Sequence, residues 1–527
     1  MLTPDKMTVE QKIGTVLCAN FVYQHEGDLE FALEQIKKHA FTCVRLSANR
    51  RFPAIMKALR EAADYPLLII TDMEKGFEPS GKQTVPFLSL AACDNSEYTK
   101  AFAAVTARDA RAAGYSGCWG PVIDILTGDG PCSVSRKAGD TPERVTKFAR
   151  DIASVYASYN FQSTGKHYPG GPYDLSADTH MVEGICSLSA EELKGTSLVP
   201  YMELWREGLL PTIMTRHCVY PKIDPDYPAS LSKKVIGLIR DMGYGGLIYT
   251  DSLAMMGILQ KYGEAESMAL ALEAGNDVIL ANPRTSNREI FNMMMDCYNR
   301  GLISDERLDD AVARIFATAE KYAAEPENPY PVPENIDEIL SNVAKDCITA
   351  VCDEGVGTSI PADKRRLFIV VTDLGYDGVK AEISSGNWYS PKRVIEAIQA
   401  QFPDAEIETI SEYPDAKENE RVLTAATKHD EVVCVSFCTT GAYLGTDCLT
   451  RRTEAMINSL IYSGKCDTVV HFGNPFALKN LYHLKRKIFG YMAPESQIYA
   501  FEALSGKIEA KGKNPFPNVM KKEFIND

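Results

Sequence analysis

Over roughly the first 320 residues, short apolar runs alternate with amphipathic helical stretches, and this alternation constrains the fold more than any other feature. Residues 41–46, 67–70, 118–123, 211–214, 247–249 and 278–280 are brief and rich in β-branched or aliphatic side chains, as buried strands are. Residues 160–164 add a further strand signal, stopped by the Pro169-Gly170-Gly171 run. Helical patterns fill the gaps, for example at 99–113 and 142–159. Strand and helix in strict alternation imply a parallel sheet, and the length suits a closed (β/α)8 barrel of the TIM type. A Rossmann sheet is the competing α/β arrangement, but no Gly-x-Gly-x-x-Gly follows any of the runs. The stretch Glu325-Pro326-Glu327-Asn328-Pro329-Tyr330-Pro331-Val332-Pro333 reads as a stiff extended connector. Beyond it, apolar runs at 367–371, 431–436 and 468–472 alternate with helices at 391–401 and 453–463, which predicts a smaller α/β sandwich. The expected division is a barrel over 1–325, a proline-rich linker over 326–345 and the sandwich over 346–527.

Composition narrows the class of function. The net charge of −15 and the lack of a basic run argue against a nucleic-acid partner. No apolar run approaches the roughly 20 residues that cross a bilayer, so no membrane partner is expected. The 14 cysteines show no Cys-x-x-Cys pair, and Cys434, Cys438 and His429 are too few for a zinc set. Neither a metal nor a cofactor is expected. Cys43 and Cys434 lie in apolar runs and read as small core residues. Many unpatterned thiols suit a reducing compartment. The N-terminus shows a capping box at Thr8-Val9-Glu10-Gln11 instead of a signal peptide, so the cytoplasm is the expected location.

Chemistry concentrates where strands end. Gly165-Lys166-His167-Tyr168-Pro169-Gly170-Gly171, followed by Ala177-Asp178-Thr179-His180, gathers a cation, two imidazoles and a carboxylate in a chain that has only 8 histidines. An Asp-x-His pair on a loop can orient an imidazole for proton transfer near neutral pH, although a capping Asp beside a surface His would look the same. The run from Gly245 ends abruptly at Asp251, and the run from Pro66 ends at Asp72. Either carboxylate alone would read as a helix N-cap. Two such strand ends beside the Lys-His segment are better explained by a shared site at the mouth of a barrel.

Taken together, these segments resemble glycoside hydrolase family 3, and within it the bacterial β-N-acetylglucosaminidases. The Lys-His-Phe-Pro-Gly run of that family is similar to Lys166–Gly170, with Tyr168 in place of Phe. Its Ser/Thr-Asp-Asp-Leu-x-Met motif is similar to Thr250-Asp251-Ser252-Leu253-Ala254-Met255. Its Asp-x-Glu-x-Gly motif matches Asp72-Met73-Glu74-Lys75-Gly76, and the Arg of its Arg-Ser-Phe-Gly-Asp segment matches Arg136. Met214-Thr215-Arg216-His217 and Pro228-Ala229-Ser230-Leu231-Ser232 resemble further landmarks, and the resemblance extends from Met7 to about Phe516. Three departures stand out: Gly171-Pro172 replaces the usual His-Gly, Ser252 replaces a second Asp, and the Gly-Arg-Val-x-Arg stretch is absent from 77–83. The lost arginine bears on which sugar is bound more than on the reaction.

The resemblance implies a retaining exo-β-glycosidase, most closely a β-N-acetylhexosaminidase acting on a small carbohydrate or amino-sugar glycoside. Asp251 would be the nucleophile, His180 the general acid and later base, and Asp178 the residue that fixes its tautomer. Asp72, Arg136, Lys166 and His167 would hold sugar hydroxyls through charge-assisted hydrogen bonds. Individual residues have competing readings. Arg136 could pair with Asp140, and His217 reads equally as a buried hydrogen-bonded residue or a ligand contact. Asp124 could brace the barrel mouth, Glu74 reads as structural, and Asp174 is a rival acid on the same loop. The alternatives for the whole chain are a β-glucosidase or β-xylosidase, a β-glycoside phosphorylase, and a catalytically weak carbohydrate-binding protein.

Overall fold

The apolar runs of the first part of the chain form short buried strands, because side chains that face packed elements on both sides of a sheet must be apolar throughout. They are β1 (Cys18–Asn20), β2 (Cys43–Arg45), β3 (Leu68–Thr71), β4 (Gly117–Cys118), β5 (Thr164–Tyr168), β6 (Gly184–Ile185), β7 (Thr212–Thr215), β8 (Cys218–Tyr220), β9 (Asp224–Pro228) and β10 (Leu247–Thr250). The computed structural model describes residues 3–23, 25–48, 51–82, 84–128, 134–172, 178–361, 363–372, 388–438 and 448–524. These fall into two compact units. The first comprises Met1–Lys82, Thr99–Ile125 and Thr141–Ile336; the second comprises Gln83–Tyr98, Leu126–Asp140 and Asp337–Asp527.

In the first unit, β1-β2-β3-β4 form one parallel sheet and β10-β7-β5 another. Single parallel bridges adjoin their edges: Gly117 with Gln162, Tyr249 with Val278, and Leu17 with Ile279. The predicted closed barrel is therefore not one continuous ladder. The run at 278–280 is reduced to bridges, and β4 is only Gly117–Cys118, with a single further bridge from Val122 to Lys166. Helices such as Ser96–Ala112 and Pro142–Ser158 fall where the periodicity places them. The strand expected at 160–164 lies further on. β5 runs through Lys166 and His167, so these polar residues belong to a strand and not to the loop after it. The carboxylates they meet, described below, make burial tolerable. A small sheet of β6, β8 and β9 carries the chain that follows β5. Asp277, fully buried, receives the Ile248 N–H at 2.9 Å and Arg240 at 3.0 Å, with Arg307 and Arg314 beside it.

The second unit holds β11 (Thr349–Cys352), β12 (Arg366–Thr372), β13 (Glu406–Ser411), β14 (Glu431–Cys438), β15 (Cys466–Gly473) and β16 (Arg486–Tyr491). They form one sheet in the order β11-β16-β15-β14-β12-β13, parallel except for β11. Alternate side chains enter different cores: Leu367, Ile369, Val432 and Cys434 on one face, Phe368, Val370, Val433 and Val435 on the other. The first of these cores also contains Leu88, Ala92, Leu126 and Val134 from the earlier segments of the chain. Cys43 and Cys434 are fully buried, as core cysteines should be.

Candidate active site

Lys166 projects from β5 with its ammonium almost wholly buried, 2.8 Å from Asp72 Oδ1 and 2.6 Å from Glu74 Oε1. An isolated buried ammonium would be costly, and two carboxylates from the segment after β3 offset that cost. Asp72 has a second cation in Arg45 at the end of β2, with 3.5 Å between Nη2 and Oδ2. The Arg45 guanidinium also lies 5.4 Å from the centre of the Trp119 ring. The Asp72 side chain is 46% exposed, so it can reach a ligand while its position is fixed from behind.

His167, the next residue in β5, is held at its inner nitrogen. Nδ1 lies 2.7 Å from Asp124 Oδ2, and because an ionised carboxylate only accepts, this nitrogen carries a proton. Nε2 faces Asp251, 3.9 Å from Oδ2. Asp251 itself follows β10. Its backbone N–H donates to the Thr215 carbonyl, and its Oδ1 accepts the Ser252 N–H at 2.7 Å. Burial pushes its carboxyl upward, but His167, His217, the Ser252 amide and His180 outweigh that and hold it at about 2. Asp251 is therefore a carboxylate at any physiological pH, and with its side chain 25% exposed it can be approached from solvent.

His217 takes one of its two open readings. Its Nε2 lies 3.0 Å from the Ser252 carbonyl, which only accepts, so Nε2–H donates and Nδ1 accepts from the Ser230 hydroxyl at 2.7 Å. Burial pushes this imidazole below its ordinary value, against the pull of Asp251. Both nitrogens engage protein groups, which makes His217 a brace for the loop carrying Asp251.

The Asp178-Thr179-His180 segment forms a closed unit. Asp178 Oδ1 accepts both the His180 backbone N–H at 2.9 Å and the ring Nδ1–H at 2.8 Å. Asp178 is buried and His180 half-buried, and Asp178 engages the imidazole at Nδ1. His180 contributes to holding the Asp251 carboxyl low, and its carbonyl accepts the Met256 N–H from the segment after Asp251. The structure thus gathers Asp72, Lys166, His167, Asp178, His180 and Asp251 within the first unit. Arg136 belongs to the second, in the short turn Val134–Arg136, where it is half-buried. Its proposed alternative partner, Asp140, accepts the N–H groups of Asn518 and Val519. Asp174 lies outside the described residues.

Glu74, read as structural, holds Lys166, and Asp124, read as a candidate brace, holds His167, whereas Arg45 was not anticipated. The signal for Glu74 was its position two residues after Asp72, on the same strand-end segment. Among the described residues, no group of three or more His, Cys, Asp or Glu side chains is arranged to hold a metal ion, and no helix is long and apolar enough to cross a membrane. The assembled groups can hold a polyol through Asp72 and Lys166, present an ionised carboxylate, and offer an oriented imidazole for proton transfer.

A family model described as the glycosyl hydrolase family 3 N terminal domain matches residues 32–318. The chain is 31% identical over 236 residues to a β-hexosaminidase of Tolumonas auensis, an alignment covering 43% of this chain and 70% of that one. Over 97% of this chain and 99% of the other, the fold matches a family 3 β-N-acetylglucosaminidase from Paenibacillus sp. str. FPU-7, with a TM-score of 0.80 at 23% identity. A β-glucoside phosphorylase matches over 97% of this chain and 95% of its own, with a TM-score of 0.79 at 22% identity.

Proposed function

Because the chain belongs to glycosyl hydrolase family 3, we propose that it is a retaining, exo-acting β-glycosidase whose preferred substrate carries a terminal N-acetylhexosamine. The observation that carries this reading is the Asp178–His180 pair, closed at 2.8 Å, with its imidazole in electrostatic range of an ionised Asp251. The two parallel sheets and the bridges at their edges are read as a (β/α)8 barrel with these residues at its mouth.

In the first step the Asp251 carboxylate attacks the anomeric carbon, the glycosidic C–O bond breaks, and His180 gives its Nε2 proton to the departing oxygen. Asp178 holds Nδ1–H, which keeps Nε2 as the exchanging nitrogen and stabilises the imidazolium before transfer. In the second step His180 takes a proton from water as that water attacks the glycosyl ester and releases Asp251. Asp72 and Lys166 hold sugar hydroxyls, and His167 steadies the nucleophile. A panel of nitrophenyl β-glycosides tests the proposal. Turnover of the N-acetylglucosaminide well above the glucoside and xyloside is the expected result, and the reverse order would replace the hexosaminidase reading with a glucosidase or xylosidase.

Phosphorolysis is the second reading, favoured by the proton donor being an imidazole. A neutral base after the first step repels phosphate less than a carboxylate would, so phosphate could attack where water does. Measuring sugar 1-phosphate against free sugar at millimolar phosphate separates the two.

A further inference from the structure

The loop that carries His180 rests on the helix that follows Asp251, and a glycine sets how closely. Helix Met256–Tyr262 begins with Met256, whose N–H donates to the His180 carbonyl at 3.0 Å. The next residue is Gly257. A Cβ at that position would lie 2.9 Å from the Val182 carbonyl oxygen and 3.1 Å from both Cα and N of Glu183. All three are backbone atoms, which cannot rotate away. Glycine weakens a helix by about 1 kcal/mol relative to alanine, and Gly257 is not among the residues with positive φ. It is therefore not required for left-handed backbone; its missing side chain permits close backbone approach. Further along the helix, Lys261 Nζ lies 3.6 Å from Glu183 Oε1. Within the loop, the Met181 and Val182 N–H groups both return to the Asp178 carbonyl, which ties the residues around His180 into one turn.

We propose that Gly257 is a positioning residue for proton transfer. By letting segment 180–183 seat directly on the helix that starts after Asp251, it fixes the His180 imidazole relative to the nucleophile through a single element. The inference rests on the reading of His180 as general acid and names the residue that places it. A side chain at 257 would push the loop outward by several tenths of an ångström or more, and a displacement approaching 1 Å can cost about 100-fold in a positioned reaction.

The test compares Gly257→Ala with wild type and with His180→Ala, on aryl β-glycosides spanning good and poor phenol leaving groups. Here kcat/KM reports formation of the glycosyl-enzyme. For Gly257→Ala it should fall roughly 10- to 100-fold on poor leaving groups and less than about threefold on dinitrophenol. On the dinitrophenyl substrate, kcat and KM should fall together, because breakdown of the intermediate also needs the imidazole, and azide should restore kcat. Lys261→Met, which removes only the outer pin, should show the same signature at about two- to fivefold and serves if Gly257→Ala is poorly folded. Equal losses of kcat/KM on all leaving groups, or no loss on any, would overturn the role of Gly257. If His180→Ala itself lacked leaving-group dependence, the general-acid reading would fail instead, so the two failures are distinguishable.

Discussion

At the scale of single residues, the decisive feature is that Asp251 remains charged in a largely enclosed position. Asp251→Asn should leave the fold intact and lower turnover at least about a thousandfold, since an amide cannot form the glycosyl ester. Near-normal activity in a preparation free of wild type would move the nucleophile elsewhere. The depressed carboxyl also predicts a pH effect with a definite sign. Its folded value of about 2 lies below the unfolded value of 3.8, so its contribution to stability is full above pH 4 and disappears as pH falls toward 2. The stability difference between wild type and Asp251→Asn should shrink by an amount on the order of 2 kcal/mol across that interval, measurable by urea unfolding at each pH. A difference independent of pH would mean that the imidazoles do not hold the carboxyl down. Asp251 could be picked out from the sequence because it ends an apolar run, and the Asp178–His180 pair because it clusters with Lys166 and His167 in a chain with only 8 histidines. Asp124 and Glu74 could not be weighted in the same way, because their significance lies in the cations they meet.

At the scale of elements, β5 places a lysine and a histidine consecutively in a buried strand, which local patterning does not anticipate. Charged residues normally mark strand ends, so the expected strand stopped at residue 164, whereas the actual one spans Thr164–Tyr168. It continues because Lys166 meets Asp72 and Glu74 and His167 meets Asp124 at the tips of neighbouring segments. Lys166→Met should therefore destabilise the chain by about 3–5 kcal/mol, the usual result of removing one partner from a buried ion pair. Adding Glu74→Gln should recover part of that loss, and a strictly additive double mutant in denaturant unfolding would show that the two groups do not interact. In the second unit, β12, β14 and β15 were legible as apolar runs. β13, with Glu406 and Glu408 on an edge, and β16, which opens on Arg486-Lys487, lack that pattern. For β13 the reason is its place at the edge, where one side has no neighbour and polar side chains are tolerated; β16 lies between β11 and β15.

At the scale of the whole molecule, the chain does not divide at one point. Gln83–Tyr98 and Leu126–Asp140 precede the proline-rich stretch, yet Leu88, Ala92 and Val134 are buried in a core with Val432 and Phe516. Each large apolar side chain withdrawn from such a core costs about 1.5–3 kcal/mol. Protease nicking at 325–340 should therefore yield two fragments that stay associated on gel filtration without denaturant. Residues 1–325 expressed alone should be aggregation-prone, and a soluble, stably folded 1–325 fragment would contradict this. The sequence by itself determined the alternation of strands and helices, the carboxylates at strand ends and the Asp-x-His pair, because these depend on periodicity and on neighbours along the chain. Only the tertiary structure decided that Lys166 is paired with Asp72, 94 residues away, and His167 with Asp124, 43 away. It alone assigned Arg136 to the second unit and brought Gly257 against the loop of His180. Periodicity is a local property, whereas the partner of a buried charge, or the backbone that a glycine admits, depends on which distant segments converge when the sheets close their cores.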